Sequence, residues 1–232
     1  ALDLGSGDVA DTQASTADLA HRVGVLIGRK AQADRRRDRL SNGIEAAFTD
    51  PLTDLPNRRY AMSRLDDLAE TAARERTGLA VMMVDVDHFK AVNDLHGHAA
   101  GDRVLTEVAR RLRGCLRARD LLARVGGEEF LIALPDTGAQ DAVQSAERVR
   151  RAIGDCGFDL SATQASGAAE GRRPLLRITV SVGLAFQAPG QTGPGIAPRV
   201  MVEHADAALY LAKESGRNRV GEARISATQS AA

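Results

Sequence analysis

The stretch ARVGGEEFLIAL, residues 123–134, decides how the middle of this chain folds. Two glycines, Gly126 and Gly127, interrupt an apolar pattern, and the carboxylates Glu128 and Glu129 follow them directly. Glycines between two apolar runs predict a turn, and the runs themselves predict strands, so the stretch is typical of an antiparallel hairpin. The adjacent charges leave two interpretations open: a solvated hairpin tip, or a pair of carboxylates that holds a ligand.

Upstream of the hairpin, the stretch VMMVDVDHFKAVND places carboxylates after a second apolar run. Residues 81–84 predict a buried strand, and Asp85 and Asp87 project to one side because side chains alternate along a strand. If this strand neighbours the hairpin, Asp85 and Glu128 converge, and converging carboxylates repel one another unless a cation lies between them. Mg²⁺ suits such a position because it takes one or two carboxylates and keeps other positions for water and phosphate. The alternative is an ordinary charge at a strand end.

Basic residues that can neutralise phosphate occur in two places. In LAKESGRNRV, Lys213 and Arg217 lie four residues apart around a predicted helix C-terminus, and this spacing directs both to one side. A structural explanation fits equally, since cations stabilise the C-terminal end of a helix. Lys90, just after the predicted strand, is a third candidate. Gly126 and Gly127 permit positive φ or the close approach of a ligand. The chain has no Walker-type loop, which argues against a P-loop NTPase.

Hydrophobic periodicity divides residues 49–222 into helices and strands. Helices are predicted at 58–75, 100–116, 138–153 and 197–216. Strands are predicted at 78–89, 120–125, 129–134 and 175–186. This order predicts an α+β fold, in which helices flank a sheet with a prominent hairpin. The stretches 161–174 and 187–198 are predicted to be long loops.

The composition argues against several classes of function. The 232 residues carry zero formal net charge, so no overall field recruits nucleic acid or an anionic membrane. The chain has no Trp, which leaves little material for base stacking on single strands. No apolar run approaches the roughly 20 residues needed to cross a bilayer. Cys115 and Cys156 lack metal-ligand spacing, which favours free thiols and a cytoplasmic location.

Residues 1–48 differ in character from the rest of the chain. A spacing of seven relates five residues of this zone, Leu19, Leu26, Ala33, Leu40 and Ala47. A heptad of this kind favours a coiled-coil stalk that dimerises. The adjoining positions are mostly poor partners for such a seam, so a solvated connecting helix is an equally good interpretation.

Four further motifs accompany RVGGEEF in order along the chain: DPLTDLPNRR (50–59), DVDHFKAVNDLHGHAAGD (85–102), ITVSVGLA (178–185) and ADAALYLAKESGRNRV (205–220). Together they resemble the GGDEF domains of diguanylate cyclases over residues 49–221. The resemblance implies an α+β fold with a central, mostly antiparallel sheet flanked by helices, similar to nucleotide cyclases and polymerase palms, here preceded by an N-terminal helical stalk. It also implies the condensation of two GTP molecules into cyclic di-GMP with release of pyrophosphate.

The resemblance assigns roles to individual residues. It implies that two Mg²⁺ (or Mn²⁺) ions per active site are held by Asp85, the Val86 carbonyl, Glu128 and Glu129. The residues implied to be catalytic are Asp85, Glu128 and Glu129, the last a candidate general base. The guanine edge is expected to be read by Asn93 and Asp102. The other residues expected to bind GTP are Phe89, Lys90, Gly126, Gly127, Lys213 and Arg217.

The segment RARD, from Arg117 to Asp120, precedes the signature strand and resembles the family's inhibitory site for the product cyclic di-GMP. Arg117 suits phosphate or a guanine edge, Asp120 can accept from guanine, and Arg148 matches a secondary contact. Without its place next to the signature, such a segment is usually just an ordinary surface pair. Because each domain binds one GTP, the resemblance implies catalysis by a homodimer. A catalytically silent domain that binds GTP or cyclic di-GMP as a sensor is the alternative.

The stretches ALDLGSGDVAD (1–11) and ADLAHRVGVLIGRKAQADR (17–35) resemble the end of a receiver domain and the linker helix that follows it in PleD-like response regulators. The chain is therefore predicted to divide into a receiver-like remnant (1–30), a linker helix (31–48), the GGDEF domain (49–222) and a disordered tail (223–232). One departure from the family pattern lies before the first helix of the domain. Asp54 and Pro56 stand where the family usually has glycine and a residue other than proline. The local geometry of this turn is therefore expected to differ.

Overall fold

The computed structural model describes residues 47–159, 175–189 and 197–224. The chain divides into two compact units, Ala1–Ala47 and Phe48–Ala232, and every described residue except Ala47 belongs to the second. Several predictions fall outside the described residues: the receiver-like segment 1–30, the linker helix up to residue 46 with its heptad, the loop 161–174, most of the loop 187–198 and the tail from residue 225.

Helices and strands are interspersed along the second unit. The helices are α1 (Arg58–Glu75), α2 (Phe89–His96), α3 (His98–Gly114), α4 (Ala139–Gly154) and α5 (Pro198–Glu214). The strands are β1 (Leu79–Val86), β2 (Leu121–Arg124), β3 (Glu129–Pro135), β4 (Val180–Gln187) and β5 (Val220–Arg224). Helix α1 coincides with its prediction, and β2 and β3 form the predicted hairpin.

The strands form one sheet in the order β2-β3-β1-β4-β5. Strand β1 lies at the centre and pairs antiparallel with β3 and with β4, while β2 pairs antiparallel with β3. Only the β4–β5 pair is parallel among the described strands. The predicted α+β fold with a mostly antiparallel central sheet is confirmed.

Helices cover both faces of this sheet, so all eight residues of β1 are buried. One face packs against α2, α3 and α4 through Ala80, Met82 and Val84. The other face packs against α1 and α5 through Leu79, Val81 and Met83. A strand with two covered faces has no polar side, which explains the unbroken apolar run that precedes Asp85.

The short helix α2 was not expected from the sequence. Helix α2 is too short for a helical period to be recognised, and it forms by burying Phe89 and Val92 on one face. Gly97, with φ of 81°, separates it from α3.

Strand β5 extends into the segment predicted to be the tail. Ala223 and Arg224 belong to β5, where they pair with Ala185 and Phe186 of β4. This edge strand is rich in residues with low strand propensity, and only its pairing with β4 defines it. Among the described residues, no helix combines the length and the apolar character that a bilayer span requires.

Candidate active site

The hairpin and β1 bring the predicted carboxylates to one end of the sheet. Asp85 pairs in register with Glu129, the first residue of β3. The backbone N–H of Val86 donates to the Glu128 carbonyl at 3.2 Å, so the Gly-Gly-Glu turn lies directly beside the end of β1. The predicted neighbourhood of these two strands is confirmed.

Asp85 is the buried centre of this cluster. Its side chain is 5% exposed, and its Oδ2 lies 2.7 Å from Nζ of Lys213 on α5. Burial raises the pKa of Asp85, while the hydrogen bond and charge of Lys213 oppose the rise. Burial likewise raises the pKa of Glu128, and the negative charge of Asp85 adds to it. The cluster therefore holds more negative charge than Lys213 alone neutralises.

These donors suit a hard cation in their chemistry. Asp85, Glu128 and Glu129 offer only carboxylate oxygens, the ligand type that Mg²⁺ prefers, and the Lys213 ammonium already occupies a cation position on Asp85. Within the described ranges, no group of three or more His, Cys, Asp or Glu side chains is arranged so that it could hold a metal ion. A Mg²⁺ site here would thus depend on water and phosphate oxygens for its remaining ligands, as is usual for this ion.

The two glycines of the turn do not adopt the left-handed conformation that glycine permits. Neither Gly126 nor Gly127 has positive φ. A Cβ at Gly126 would collide with Oε2 of Glu129, whereas a Cβ at Gly127 would meet nothing within 4 Å. The absence of a side chain at Gly126 therefore makes room for the Glu129 carboxylate, and Gly127 leaves room beside the backbone.

An arginine that the sequence did not single out supports this turn. Arg124 donates through Nη2 to the Gly127 carbonyl at 2.7 Å and through Nη1 to both oxygens of Asp50 at 3.0 and 3.1 Å. Asp50 also accepts from the backbone N and the hydroxyl of Thr53. Although burial raises the pKa of Asp50, these hydrogen bonds outweigh it, so the pKa is lowered overall. Both residues stand in quoted motifs, DPLT and RVGGEEF, which is the signal that could have found them.

The turn before α1, which contains Asp54 and Pro56, also contacts the hairpin. Asp54 has φ of 55°, a left-handed conformation that suits glycine better than aspartate. The carbonyl of the unusual Pro56 accepts from the backbone N of Arg124 at 2.9 Å. The departures at Asp54 and Pro56 are thus accommodated in a turn that still contacts the hairpin.

The residues expected to read guanine lie on α2 and α3. A Cβ at Gly101 would collide with Oδ1 of Asn93, so the Asn93 amide lies directly against the start of α3, next to the exposed Asp102. At the start of α2, Phe89 is buried and Lys90 is exposed. Gly101 was missed by the sequence reasoning, although a glycine inside a helical pattern often marks a close approach.

Arg217 is not placed as its spacing predicted. Helix α5 ends at Glu214, and Arg217 lies in the following turn with φ of 61°. Lys213 is therefore on the helix and Arg217 is beyond it, so a shared helical face does not relate them.

A cleft of about 340 Å³ adjoins the carboxylates on the α1–α5 face. Glu129 and Lys213 border it together with Arg58 and Asp206, which the sequence reasoning did not identify. Burial raises the pKa of Asp206, the negative charge of Glu129 adds to the rise, and Arg58 opposes it. Two carboxylates and two cations thus border this cleft.

The RARD segment forms a tight turn before β2. The backbone N of Arg117 donates to Asp120 Oδ2 at 2.8 Å, and the backbone N of Asp120 donates to the Arg117 carbonyl at 3.0 Å. Asp120 Oδ1 is buried and has no hydrogen-bond partner among the described residues. Arg148 Nε donates to the carbonyl of Cys115, two residues before Arg117. Since Leu121 pairs with Ala133, the turn lies roughly 13 Å along the hairpin from the Glu129 end.

Arg117 and Asp120 border a groove of about 790 Å³. Three further arginines line this groove: Arg64, Arg113 and Arg119. The groove thus combines an orphaned carboxylate oxygen with several cations, and it is separate from the acidic cluster at the other end of the hairpin.

Fold and site together define a class of protein. Residues 47–219 match the GGDEF family, described as diguanylate cyclase, GGDEF domain, and the chain belongs to this family.

Individual relatives agree with this assignment. The response regulator PleD of Caulobacter vibrioides is 39% identical over 220 residues, which cover 95% of this chain and 46% of PleD. Diguanylate cyclase DgcP of Pseudomonas aeruginosa is 41% identical over 183 residues, which cover 78% of this chain and 25% of DgcP. The chain therefore spans less than half the length of either relative. The coiled coil and GGDEF domain of DgcB from Caulobacter crescentus, solved in complex with c-di-GMP, superposes with a TM-score of 0.74 at 32% identity and covers 86% of this chain and 98% of that one.

Proposed function

We propose that this domain condenses two GTP molecules into cyclic di-GMP and two pyrophosphates, acting as a homodimer. The observation that carries the proposal is the convergence of Asp85, Glu128 and Glu129 at the end of β1, with Lys213 at 2.7 Å from Asp85. A solvated hairpin tip needs no such arrangement. The diguanylate cyclase activity in the name of DgcP and the c-di-GMP bound to DgcB support the same reaction.

The residues that would hold Mg²⁺ or Mn²⁺, two ions per site, are Asp85, the Val86 carbonyl, Glu128 and Glu129. When bound, such ions lower the cost of deprotonating the 3′-hydroxyl of GTP and offset the charge of the departing pyrophosphate. Lys213 pairs with Asp85 at 2.7 Å, and its ammonium would lie beside the ions and could neutralise phosphate charge there.

The chain's own groups bind and orient the nucleotide. Asn93 and Asp102 are proposed to hold guanine by its hydrogen-bonding edge and to reject adenine, because adenine would leave them unpaired. Lys213 and Arg217 are proposed to neutralise the triphosphate, while Phe89 and Lys90 border the phosphates. Glu129 lies at the β1 end of the hairpin and is the candidate acceptor for the 3′-hydroxyl proton.

Product inhibition is proposed to act at the RARD turn. The groove around Arg117 and Asp120 offers cations for phosphate and the unpaired Asp120 Oδ1 for a donor on guanine. Arg148, which holds the Cys115 carbonyl just before this turn, is proposed to support the same site.

The first 48 residues are proposed to be a receiver-like remnant (1–30) and a linker helix (31–48) ahead of the catalytic domain. The match to PleD covers 95% of the chain and so extends well beyond the family match at 47–219, which supports this division. A cytoplasmic location and the absence of nucleic-acid and membrane partners stay predictions.

Incubation with GTP and Mg²⁺, followed by detection of cyclic di-GMP, tests the proposal. Glu128→Gln is expected to reduce turnover at least about a thousandfold, because the amide loses the charge that holds metal, while the melting temperature stays near that of the wild type. Wild-type activity in Glu128→Gln would refute its role. A wild-type dimer that binds GTP without forming product would instead indicate the silent sensor.

Arg117→Ala tests the inhibitory site separately. It is expected to leave the initial rate unchanged and to weaken inhibition by added cyclic di-GMP about tenfold or more, since a charge-assisted contact is lost. The measurement is the product concentration that halves the rate. Arg199→Ala, which removes an exposed arginine of α5 outside this groove, is the control and should keep wild-type inhibition. Unchanged inhibition in Arg117→Ala would mean that the RARD segment is an ordinary surface pair and does not bind the product.

A further inference from the structure

Asp87 has a buried carboxylate that the proposed reaction does not use. It lies one residue beyond β1 and is 4% exposed. Its Oδ1 accepts from Ser181 Oγ at 2.7 Å, and its Oδ2 accepts from Thr179 Oγ1 at 2.7 Å and from the backbone N of Asn218 at 3.1 Å. Protein donors thus engage both oxygens, and Asp87 differs in this from its neighbour Asp85, which faces a cation.

The contact to Asn218 is made within a strained turn. Gly216, Arg217 and Asn218 follow α5 with φ values of 111°, 61° and 46°. The left-handed region is unfavourable for residues that have a Cβ, so Arg217 and Asn218 need contacts that hold them there. Asp87 supplies one on the backbone of Asn218, and Arg150 of α4 supplies another by donating from Nη1 to Asn218 Oδ1 at 2.8 Å.

The two aspartates at the end of β1 therefore meet the two basic residues in different ways. Asp85 contacts Lys213 directly through the side chains. Asp87 accepts from the backbone N–H of Asn218, the residue after Arg217, and does not pair with the Arg217 guanidinium. A triphosphate bound near Asp85 needs both cations at defined positions, because loss of orientation weakens a phosphate contact even when the charge is kept.

We infer that Asp87 is a positioning residue, which holds the turn 216–218 so that Arg217 meets the triphosphate of the bound nucleotide. The inference rests on one part of the proposed function, the binding of the triphosphate by Arg217. It does not rest on turnover, because nucleotide affinity reports the contact by itself.

Two substitutions at Asp87 separate position from charge. Asp87→Asn keeps the shape and an acceptor for the Asn218 N–H, because the hydroxyls of Thr179 and Ser181 can accept as well as donate. Asp87→Ala removes every acceptor. In titrations with GTP and Mg²⁺, Asp87→Asn is expected to bind within about twofold of the wild type, and Asp87→Ala about tenfold more weakly, the equivalent of one charge-assisted contact. Equal loss in both variants would mean that the charge itself matters, and it would overturn the inference.

A double-mutant cycle connects the effect to Arg217. In an Arg217→Ala background, Asp87→Ala is expected to weaken GTP binding no further, since the cation that it positions is gone. Guanosine, which lacks the triphosphate, should bind all four proteins alike. Additive losses for GTP, or an equal loss for guanosine, would show a general effect on the fold and would overturn the inference.

Two more variants control for stability. Thr179→Val removes one donor to Asp87 without touching the turn, and it should lower the melting temperature while leaving GTP affinity unchanged. Arg150→Met removes the second clamp on Asn218 and keeps the aliphatic stem, so it should weaken GTP but not guanosine. If Asp87→Ala does not fold, wild-type GTP affinity in Arg150→Met would overturn the inference. If the wild type binds GTP but forms no product, the proposed function is wrong. The affinity measurements would still test the inference about Asp87.

Discussion

Gly126 illustrates how closely the groups of the site are packed. Its missing Cβ makes room for the Glu129 carboxylate, and the carbonyl of the next residue, Gly127, is held by Arg124. Arg124 is in turn held by Asp50, so the orientation of the turn depends on a chain of contacts that begins outside the hairpin. At this scale, a single methyl group is enough to displace the Glu129 side chain, which is proposed to be catalytic.

Gly126→Ala is expected to reduce turnover about 10- to 100-fold, because displacing a reacting group by about an ångström costs that much. The free energy of unfolding should change by less than about 1 kcal/mol, since the colliding atom is the end of a flexible side chain. Initial rates with GTP and thermal unfolding measure the two effects.

Gly127→Ala is the matched comparison, because a Cβ there meets nothing within 4 Å. Its stability should equal that of the wild type, and any loss of GTP affinity would report a nucleotide close to this backbone. Full activity in Gly126→Ala would argue against a direct role for Glu129.

Helix α3 connects the proposed guanine site at its first turn to the RARD turn after its last. Arg111, near its C-terminus, donates to the carbonyls of Cys156 and Gly157 at 2.7 and 2.8 Å, and its guanidinium lies 4.0 Å from the Phe158 ring centroid. Glu107 accepts from Arg111 at 2.8 Å and from Arg110 at 2.6 and 2.7 Å. This network fixes the end of α3 against the segment that follows α4.

Glu107 makes the network sensitive to acid. The hydrogen bond from Arg110 is the largest cause that lowers the pKa of Glu107 from 4.5 to about 2. A pKa that is lower in the folded state contributes stability above pH 4.5, and this contribution is lost as the pH falls towards 2. Glu107→Gln should therefore lower the free energy of unfolding by about 1 kcal/mol at pH 7, a modest value because solvent screens the pair, and by almost nothing near pH 2.

Chemical denaturation of both proteins across this pH range provides the measurement. Asp67→Asn is the control, since the Arg64–Asp67 pair on α1 is exposed at both ends and its loss should matter little at any pH. A difference between Glu107→Gln and the wild type that is independent of pH would contradict an electrostatic origin.

On the scale of the whole molecule, covering both faces of the sheet leaves only its ends for chemistry. The acidic cluster lies at one end of the β1–β3 pair, and the RARD turn lies at the other end of the same hairpin. Each domain offers one such cluster, whereas the proposed product joins two nucleotides. The proposed reaction would therefore need two copies of the domain.

Specific activity is accordingly expected to rise with protein concentration and to level off as dimers form. When most of the protein is monomeric, a tenfold dilution should lower the rate per domain about tenfold, because association is bimolecular. GTP turnover measured beside sedimentation or light scattering tests this. Constant specific activity in a range where the protein is monomeric would contradict the proposed homodimer.

The sequence by itself determined the elements whose patterns are long or local. Helix α1, the β2–β3 hairpin and the buried strand before Asp85 follow from periodicity and turn residues within a few positions, and the motifs identify the family. Only the tertiary structure decided which distant groups meet. Asp50 and Arg124 are 74 residues apart, and Asp87 and Asn218 are 131 apart, yet each pair is joined by a hydrogen bond. Periodicity describes one element at a time, whereas the pairing of Asp85 with Lys213, the anchoring by Asp87 and the parallel strand β5 depend on how the elements pack.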